Sequence, residues 1–74
     1  MQTEYVKYYN IIADNIKKLR LELQFSQEQF AEKIGCSREY ISRLENHKEK
    51  ISLQFLLKIS QLFEKEPQAF FDNK

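Results

Sequence analysis

Three charged residues, Arg38, Glu39 and Arg43, lie close together in the sequence REYISRLEN. Their spacing places them on the outer side of a predicted helix, where side chains do not pack against the core. An arginine can donate two hydrogen bonds at once to O6 and N7 of guanine, and a glutamate can accept from the amino group of cytosine. Glu39 can instead orient a neighbouring arginine. A helix with this outer face is suited to reading the edges of DNA bases.

Two short helices joined by a tight turn are predicted to hold these side chains. Ser26 begins the first helix, because its hydroxyl can accept from a backbone N–H and Gln29 can complete a capping box. Gly35, the only glycine, ends it, since glycine takes the left-handed conformation at no steric cost. Ser37 caps the second helix. From Gln27 to Asn46 the spacing is that of a helix-turn-helix.

Small and apolar residues within this segment are predicted to lock the two helices together. Ala31 must be small because the helices cross closely at a steep angle. Phe25 and Phe30 are spaced for a hydrophobic staple around Ser26. The residues expected to face inward are Ile34, Cys36, Ile41 and Leu44. Cys36 is therefore interpreted as a buried structural thiol and not a reactive one.

The segment before the helix-turn-helix is predicted to be one long helix. It includes Asn10 to Leu23, and its apolar stripe extends back to Tyr5. Residues 1–9 are either a helical extension capped by Thr3, which we favour, or a loose arm.

Two further helices are predicted towards the end of the chain. Ser52 caps a fourth helix, and Pro67 suits the first position of a short fifth one. The buried side of the fourth helix is expected to consist of Leu56, Ile59, Leu62 and Phe63. The predicted fold class is all-α, a compact five-helix domain over residues 1–74 with its helix-turn-helix at 26–46.

Composition restricts the class of protein. The single cysteine excludes an internal disulfide and fits a reducing compartment, and no apolar run is long enough to span a membrane. We therefore expect a cytoplasmic location. An enzyme is not expected, because there is no phosphate-binding glycine loop, no Cys/His or Ser/His/Asp set and no cluster of metal ligands. No cofactor and no metal are predicted.

The charge balance is unusual for a protein that binds nucleic acid. Twelve Lys and Arg residues against eleven Asp and Glu give a net charge of +1. Positive charge must therefore be arranged by the fold, and non-specific affinity for DNA should be modest.

The chain resembles the Xre-type helix-turn-helix family, the class of the phage repressors and Cro. The likeness runs over residues 16–71, from IKKLR through SQEQFAEKIGCSREYISRLEN to SLQFLLKISQLF and QAFF. Among its members the chain is most similar to short single-domain regulators, including controller proteins of restriction–modification systems. The resemblance implies a lambda-repressor-like five-helix fold and binding to operator DNA as a homodimer.

The resemblance also implies roles for individual residues. The base-reading positions of the family fall on Arg38, Glu39 and Arg43. Backbone-contacting positions are assigned to Gln27, Ser37, Tyr40, Ser42, Asn46 and Lys48. For Gln27 and Lys48 the alternative is a plain exposed residue, and for Tyr40 it is packing at the rim of the core.

Structural roles follow from the same resemblance. Arg20 and Glu45 fall where the family often has a partly buried ion pair between its first and third helices. The end of the chain, residues 63–74, is expected to form a two-fold interface, with Leu57, Phe63, Phe70 and Phe71 as its residues. The alternatives are that both Phe70 and Phe71 fold back onto the core, or that one ring does.

Two positions depart from the family pattern. His47 and Glu64 stand where glycine is common, each just past the end of a helix. A side chain there must either accept a left-handed backbone at some cost or let the helix continue.

The leading hypothesis is a sequence-specific, homodimeric transcriptional regulator of prokaryotic or phage origin, a repressor or an activator. Its recognition helix, 37–46, would enter the major groove of the two half-sites of a palindromic operator in double-stranded DNA. The alternative is a protein-interaction module, such as an antitoxin-like protein that binds a protein partner. The near-zero net charge is the main support for that alternative.

Overall fold

The computed structural model of the protein describes residues 5–72. Its four α-helices are α1 (Val6–Glu22), α2 (Gln27–Ile34), α3 (Arg38–Glu45) and α4 (Leu53–Leu62). A 3₁₀ helix, Pro67–Phe71, follows α4, and residues 5–72 contain no strand. The all-α class is confirmed, but with four α-helices where five helices were predicted.

The predicted fifth helix is a 3₁₀ helix of only five residues. Pro67 begins it as predicted, and the N–H of Ala69 donates to the carbonyl of Glu66, three residues back, at 2.9 Å. So short a segment cannot form the series of bonds that stabilises an α-helix. Asn15 of α1 holds it in place, since its side-chain amide donates to the carbonyl oxygens of Phe70 at 2.7 Å and Asp72 at 2.8 Å.

Serine hydroxyls begin α2, α3 and α4, as the sequence predicted. Ser26 accepts from the N–H of Gln29, and the Gln29 side chain accepts from the N–H of Ser26, which completes the capping box. Ser37 and Ser52 each accept from the third residue of their helices. Residues 6–9 form the first turn of α1, whereas the predicted cap Thr3 lies outside the described residues.

A left-handed residue follows each of the four α-helices. Gly35 has a φ of 91°, and Gln24, His47 and Glu64 have φ values of 62°, 63° and 57°. After α3 the N–H of Lys48 donates to the carbonyl of Arg43 at 2.8 Å, the bond that defines a Schellman motif. His47 and Glu64 thus keep the turn that glycine would form, although a side chain in this conformation is strained.

The helices enclose one hydrophobic core. Its fully buried residues are Ile16, Phe30, Ile41, Leu44 and Ile59. Phe63 stacks on Phe30 with their ring centroids 5.4 Å apart. Leu62 was predicted to be buried but is 46% exposed. It lies beside the buried face that Ile59 and Phe63 form, and not on it.

Replacing Glu64 with glycine is expected to raise the free energy of unfolding by about 0.5 kcal/mol. The strain of a left-handed side chain is about 1–2 kcal/mol. Glycine relieves this strain. Part of the gain is offset because glycine increases the conformational entropy of the unfolded chain, which costs about 0.4–1 kcal/mol of stability. Urea denaturation followed by circular dichroism measures the difference.

Glu66→Gly is the matched control, since it removes the same charge two residues away, where φ is −69°. It should lower the stability by about 0.4–1 kcal/mol. Equal losses for the two variants would contradict strain at Glu64.

Candidate nucleic-acid interface

A buried ion pair fixes α3 to α1. Nε of Arg20 donates to Oε2 of Glu45 at 2.7 Å, and Nη2 donates to Oε1 at 3.1 Å. The two side chains are only 9% and 2% exposed. A bidentate contact of this kind sets orientation as well as distance. The pair therefore determines how α3 is presented to its surroundings.

The remaining polar atoms of this ion pair bond to α2 and the turn before it. Nη1 of Arg20 donates to the carbonyl of Phe25 at 2.8 Å, and Nε2 of Gln27 donates to Oε1 of Glu45 at 3.0 Å. In the described part of the chain, no buried side-chain nitrogen or oxygen lacks a partner. Gln27 is partly buried, so its side chain has a structural contact beside the phosphate contact that the sequence suggested.

The outer side of α3 carries the three residues suggested to read bases. The side chains of Arg38, Glu39 and Arg43 are 52%, 69% and 51% exposed. On the opposite side, Ile41 and Leu44 are buried in the core together with Glu45. The division between the two sides of α3 leaves the long polar side chains free to contact a ligand.

Arg43 has two neighbours, and one of them was not anticipated. Its Nε donates to Oε1 of Glu49 at 3.1 Å, and its guanidinium carbon lies 5.9 Å from the centroid of the Tyr40 ring. Glu49 follows the turn after α3, and helical spacing cannot relate a residue in a loop to one in the helix. The contact between Arg43 and Glu49 therefore could not be predicted from the spacing of residues in the sequence.

Tyr40 lies at the rim of the core, one of the two positions considered for it. Its ring meets that of Phe55 edge to face, with centroids 5.1 Å apart. The pKa of Tyr40 is raised, chiefly by burial and then by the negative charge of Glu49 and by Cys36, while Arg43 opposes the shift. The phenol therefore stays neutral at physiological pH.

The other residues suggested to contact the DNA backbone lie within α3 or just beyond its ends. The hydroxyl of Ser37 caps the helix, and that of Ser42 accepts from the side-chain amide of Asn46 at 3.5 Å. Asn46 and Lys48 are exposed. Lys48 follows the left-handed turn at His47, and its N–H closes that turn by donating to the carbonyl of Arg43.

His47 makes a second contact between the end of α3 and α1. Its Nε2 lies 2.7 Å from Oδ1 of Asp14. The side chains are 38% and 64% exposed, and a pair so open to solvent contributes little to stability. The sequence did not predict it, because the residues are 33 positions apart.

Cys36 is half-buried in the turn between α2 and α3 and packs against the core. Burial raises the pKa of its thiol, an effect that the nearby Lys58 partly opposes. A thiol with a raised pKa is a poor nucleophile. Among residues 5–72 no group of three or more His, Cys, Asp or Glu residues is arranged to hold a metal ion.

The prediction that Phe70 belongs to a dimer interface is wrong. Phe70 is 3% exposed and lies in the core of the protomer, because the Asn15 bonds hold the 3₁₀ helix against α1. Phe71 points outward and is 47% exposed, and Leu57 is 45% exposed. Phe63 is half-buried against Phe30. The aromatic pair is thus divided, with one ring inside and one outside.

The helices α2 and α3 are short and joined by a tight turn. The inner side of α3 is anchored to the core, and its outer side is polar. This arrangement defines a helix-turn-helix DNA-binding domain. The chain belongs to the Xre-type helix-turn-helix family, because the family described as Helix-turn-helix matches residues 16–70. This is a family of DNA-binding regulators and not typically of enzymes. No curated protein and no solved structure matches the chain significantly.

Within residues 5–72 no helix combines the length and the apolar character needed to cross a bilayer.

Replacing Glu45 with glutamine is expected to lower the free energy of unfolding by about 3–5 kcal/mol, because Arg20 would remain buried without a counter-charge. Glutamine has nearly the same shape, so the loss reports the charge and not a cavity. Thermal and urea denaturation measure it.

Glu39→Gln is the control on the same helix, since Glu39 is 69% exposed. Its effect should stay within about 0.5 kcal/mol. Equal effects of the two substitutions would show that the Arg20–Glu45 pair does not anchor α3.

Proposed function

We propose that the protein is a sequence-specific DNA-binding transcriptional regulator that acts as a homodimer. In this proposal α3 enters the major groove of each half-site of a palindromic operator. The observation that carries it is the two-sided character of α3. The Arg20–Glu45 ion pair fixes its inner side, and its outer side presents exposed Arg38, Glu39 and Arg43.

The proposed division of roles follows position on the helix. Arg38 stands in the first turn of α3 and Arg43 in the last turn, and both are proposed to contact the edges of guanine bases at the floor of the groove. Glu39 accepts from a cytosine amino group or orients Arg38, whose Nη2 lies 3.8 Å from it. Phosphates on either side would be contacted by residues at the start of α2, within α3 and just beyond its ends: Gln27, Ser37, Tyr40, Ser42, Asn46 and Lys48.

A two-fold dimer would place its recognition helices roughly 34 Å apart, one turn of the duplex. The exposed side chains of Leu57 and Phe71, with the half-buried ring of Phe63, are proposed for this interface. Binding at such a site would repress transcription by blocking polymerase, or activate it through a polymerase contact.

Selection of bound duplexes from a random pool tests the proposal. It should recover a palindrome whose binding weakens steeply as salt is raised. Arg38→Ala and Arg43→Ala should each reduce the binding free energy that distinguishes the preferred base pair from the others, at one position in each half-site, by about 1–3 kcal/mol. Gln27→Ala should weaken binding to all sequences similarly.

Lys18→Ala is the charge-matched control. Lys18 lines a groove between α1 and the C-terminal segment, next to Lys65 and Asp72 and apart from α2 and α3. It should leave sequence preference unchanged. Equal, non-selective losses from Arg38→Ala, Arg43→Ala and Gln27→Ala would refute the assignment of base-reading residues.

The two neighbouring phenylalanines provide a test of dimerisation. Phe71→Ser should raise the dissociation constant of the dimer about tenfold and leave the stability of the protomer nearly unchanged. Phe70→Ala should instead lower the free energy of unfolding by about 3–5 kcal/mol, because it creates a cavity in the core. Sedimentation equilibrium measures the dissociation constant, and urea denaturation measures the free energy of unfolding. Unchanged self-association in Phe71→Ser would show that Phe71 is not part of the interface.

The second candidate is a protein-interaction module such as an antitoxin-like protein. Its support is the net charge of +1 together with exposed apolar side chains on α4, of which Leu53 is 68% exposed. Failure to recover any specific duplex at low salt would favour this candidate over the DNA-binding regulator.

A further inference from the structure

We propose that Glu49 is a specificity-determining residue that positions Arg43 for a bidentate contact with guanine and does not itself touch a base. The inference rests on the proposed function, since it concerns how the same surface distinguishes one base pair from another. Glu49 stands in the loop after α3 and its side chain is 34% exposed.

The contact between the two side chains uses one edge of the guanidinium. Arg43 donates from Nε to Oε1 of Glu49 at 3.1 Å. An arginine has five N–H donors in a planar fork, so the four on Nη1 and Nη2 remain. Within residues 5–72 no protein group accepts a hydrogen bond from either Nη atom of Arg43. These are the atoms that can reach O6 and N7 of guanine together.

Tyr40 supports the guanidinium from a second direction. The guanidinium carbon of Arg43 lies 5.9 Å from the centre of the Tyr40 ring, within the range of a cation–π contact. The ring is held in turn by its edge-to-face contact with Phe55 of α4. Arg43 is thus connected through Tyr40 to the packed core and through Glu49 to the loop. Side chains restrained in this way lose less conformational entropy when they bind.

Arg38 lacks this support. Its nearest acidic partner in the described chain is its neighbour Glu39, at 3.8 Å, and both side chains are more than half exposed. A contact so long and so exposed restrains Arg38 far less than Glu49 and Tyr40 restrain Arg43. We therefore expect Arg43 to discriminate against wrong bases more sharply than Arg38.

Glu49 also has an electrostatic cost. A carboxylate next to a DNA-binding arginine repels nearby phosphates and weakens binding to every sequence. The charge and the hydrogen bond therefore act in opposite directions, the charge on overall affinity and the hydrogen bond on discrimination. Two substitutions separate them.

Glu49→Gln removes the charge and keeps an oxygen that can accept from Nε of Arg43. Glu49→Ala removes both. The two variants should show the same rise in affinity for unrelated DNA sequences, largest at low salt. Only Glu49→Ala should lose discrimination, about tenfold, at the base pair that Arg43→Ala relaxes. The measurement is the affinity of each variant for a set of duplexes that differ from the selected operator at one position each.

The double variant Arg43→Ala/Glu49→Ala completes the test. It should discriminate at that base pair no worse than Arg43→Ala, because Glu49 acts only through Arg43. If Glu49→Ala and Glu49→Gln discriminate equally, or if Glu49→Ala loses affinity evenly at all positions, the positioning role is overturned.

A measurement on the free protein tests the hydrogen bond between Arg43 and Glu49 without DNA. The Nε–H proton of Arg43 should exchange with water slowly in the wild type and in Glu49→Gln, and about tenfold faster in Glu49→Ala. Equal exchange in all three proteins would overturn the inference even if a specific operator is found. If no specific duplex is recovered, the proposed function fails and this inference fails with it. If Arg43→Ala relaxes one base pair and Glu49→Ala does not, only the inference fails.

Discussion

The ion pair between Arg20 and Glu45 is the interaction on which the interface depends. Two charges removed from water are tolerated only when their remaining hydrogen bonds are satisfied, and here the Phe25 carbonyl and the Gln27 amide complete the set. Because those partners lie at the start of α2, the single pair connects α1, α2 and α3. α3 consequently cannot tilt without breaking a buried charge contact, which gives its outer side a defined orientation.

The shortness of the helices explains why this connection is needed. α2 and α3 have eight residues each, too few to be stable in water alone. Serine caps, left-handed residues after the helices and a shared core stabilise them in the folded domain. The apolar side of α3 packs into that core, so its polar residues other than Glu45 are left towards the outer side. The same constraint that makes the domain stable therefore creates the surface proposed to read DNA.

Local hydrogen bonding explains which features could be predicted from the sequence. Ser26, Gln29 and Gly35 were predicted correctly because their partners lie within four residues along the chain. The Arg20–Glu45 pair was expected only through the resemblance to a family. Contacts that depend on packing were missed: Glu49 with Arg43, Asp14 with His47, and Asn15 with the 3₁₀ helix. The inward turn of Phe70 follows from the Asn15 contact, which explains why the sequence left its position open.

The proposed function requires that Arg38 and Arg43 contact guanines from the major groove. Methylation interference on a selected duplex tests it directly, because a methyl group on guanine N7 blocks a bidentate arginine contact in that groove. If both arginines make these contacts, interference is expected at guanines in both half-sites, roughly 34 Å apart, and Arg43→Ala should lose one of those signals in each half-site. Binding that is insensitive to methylation at every guanine would contradict it.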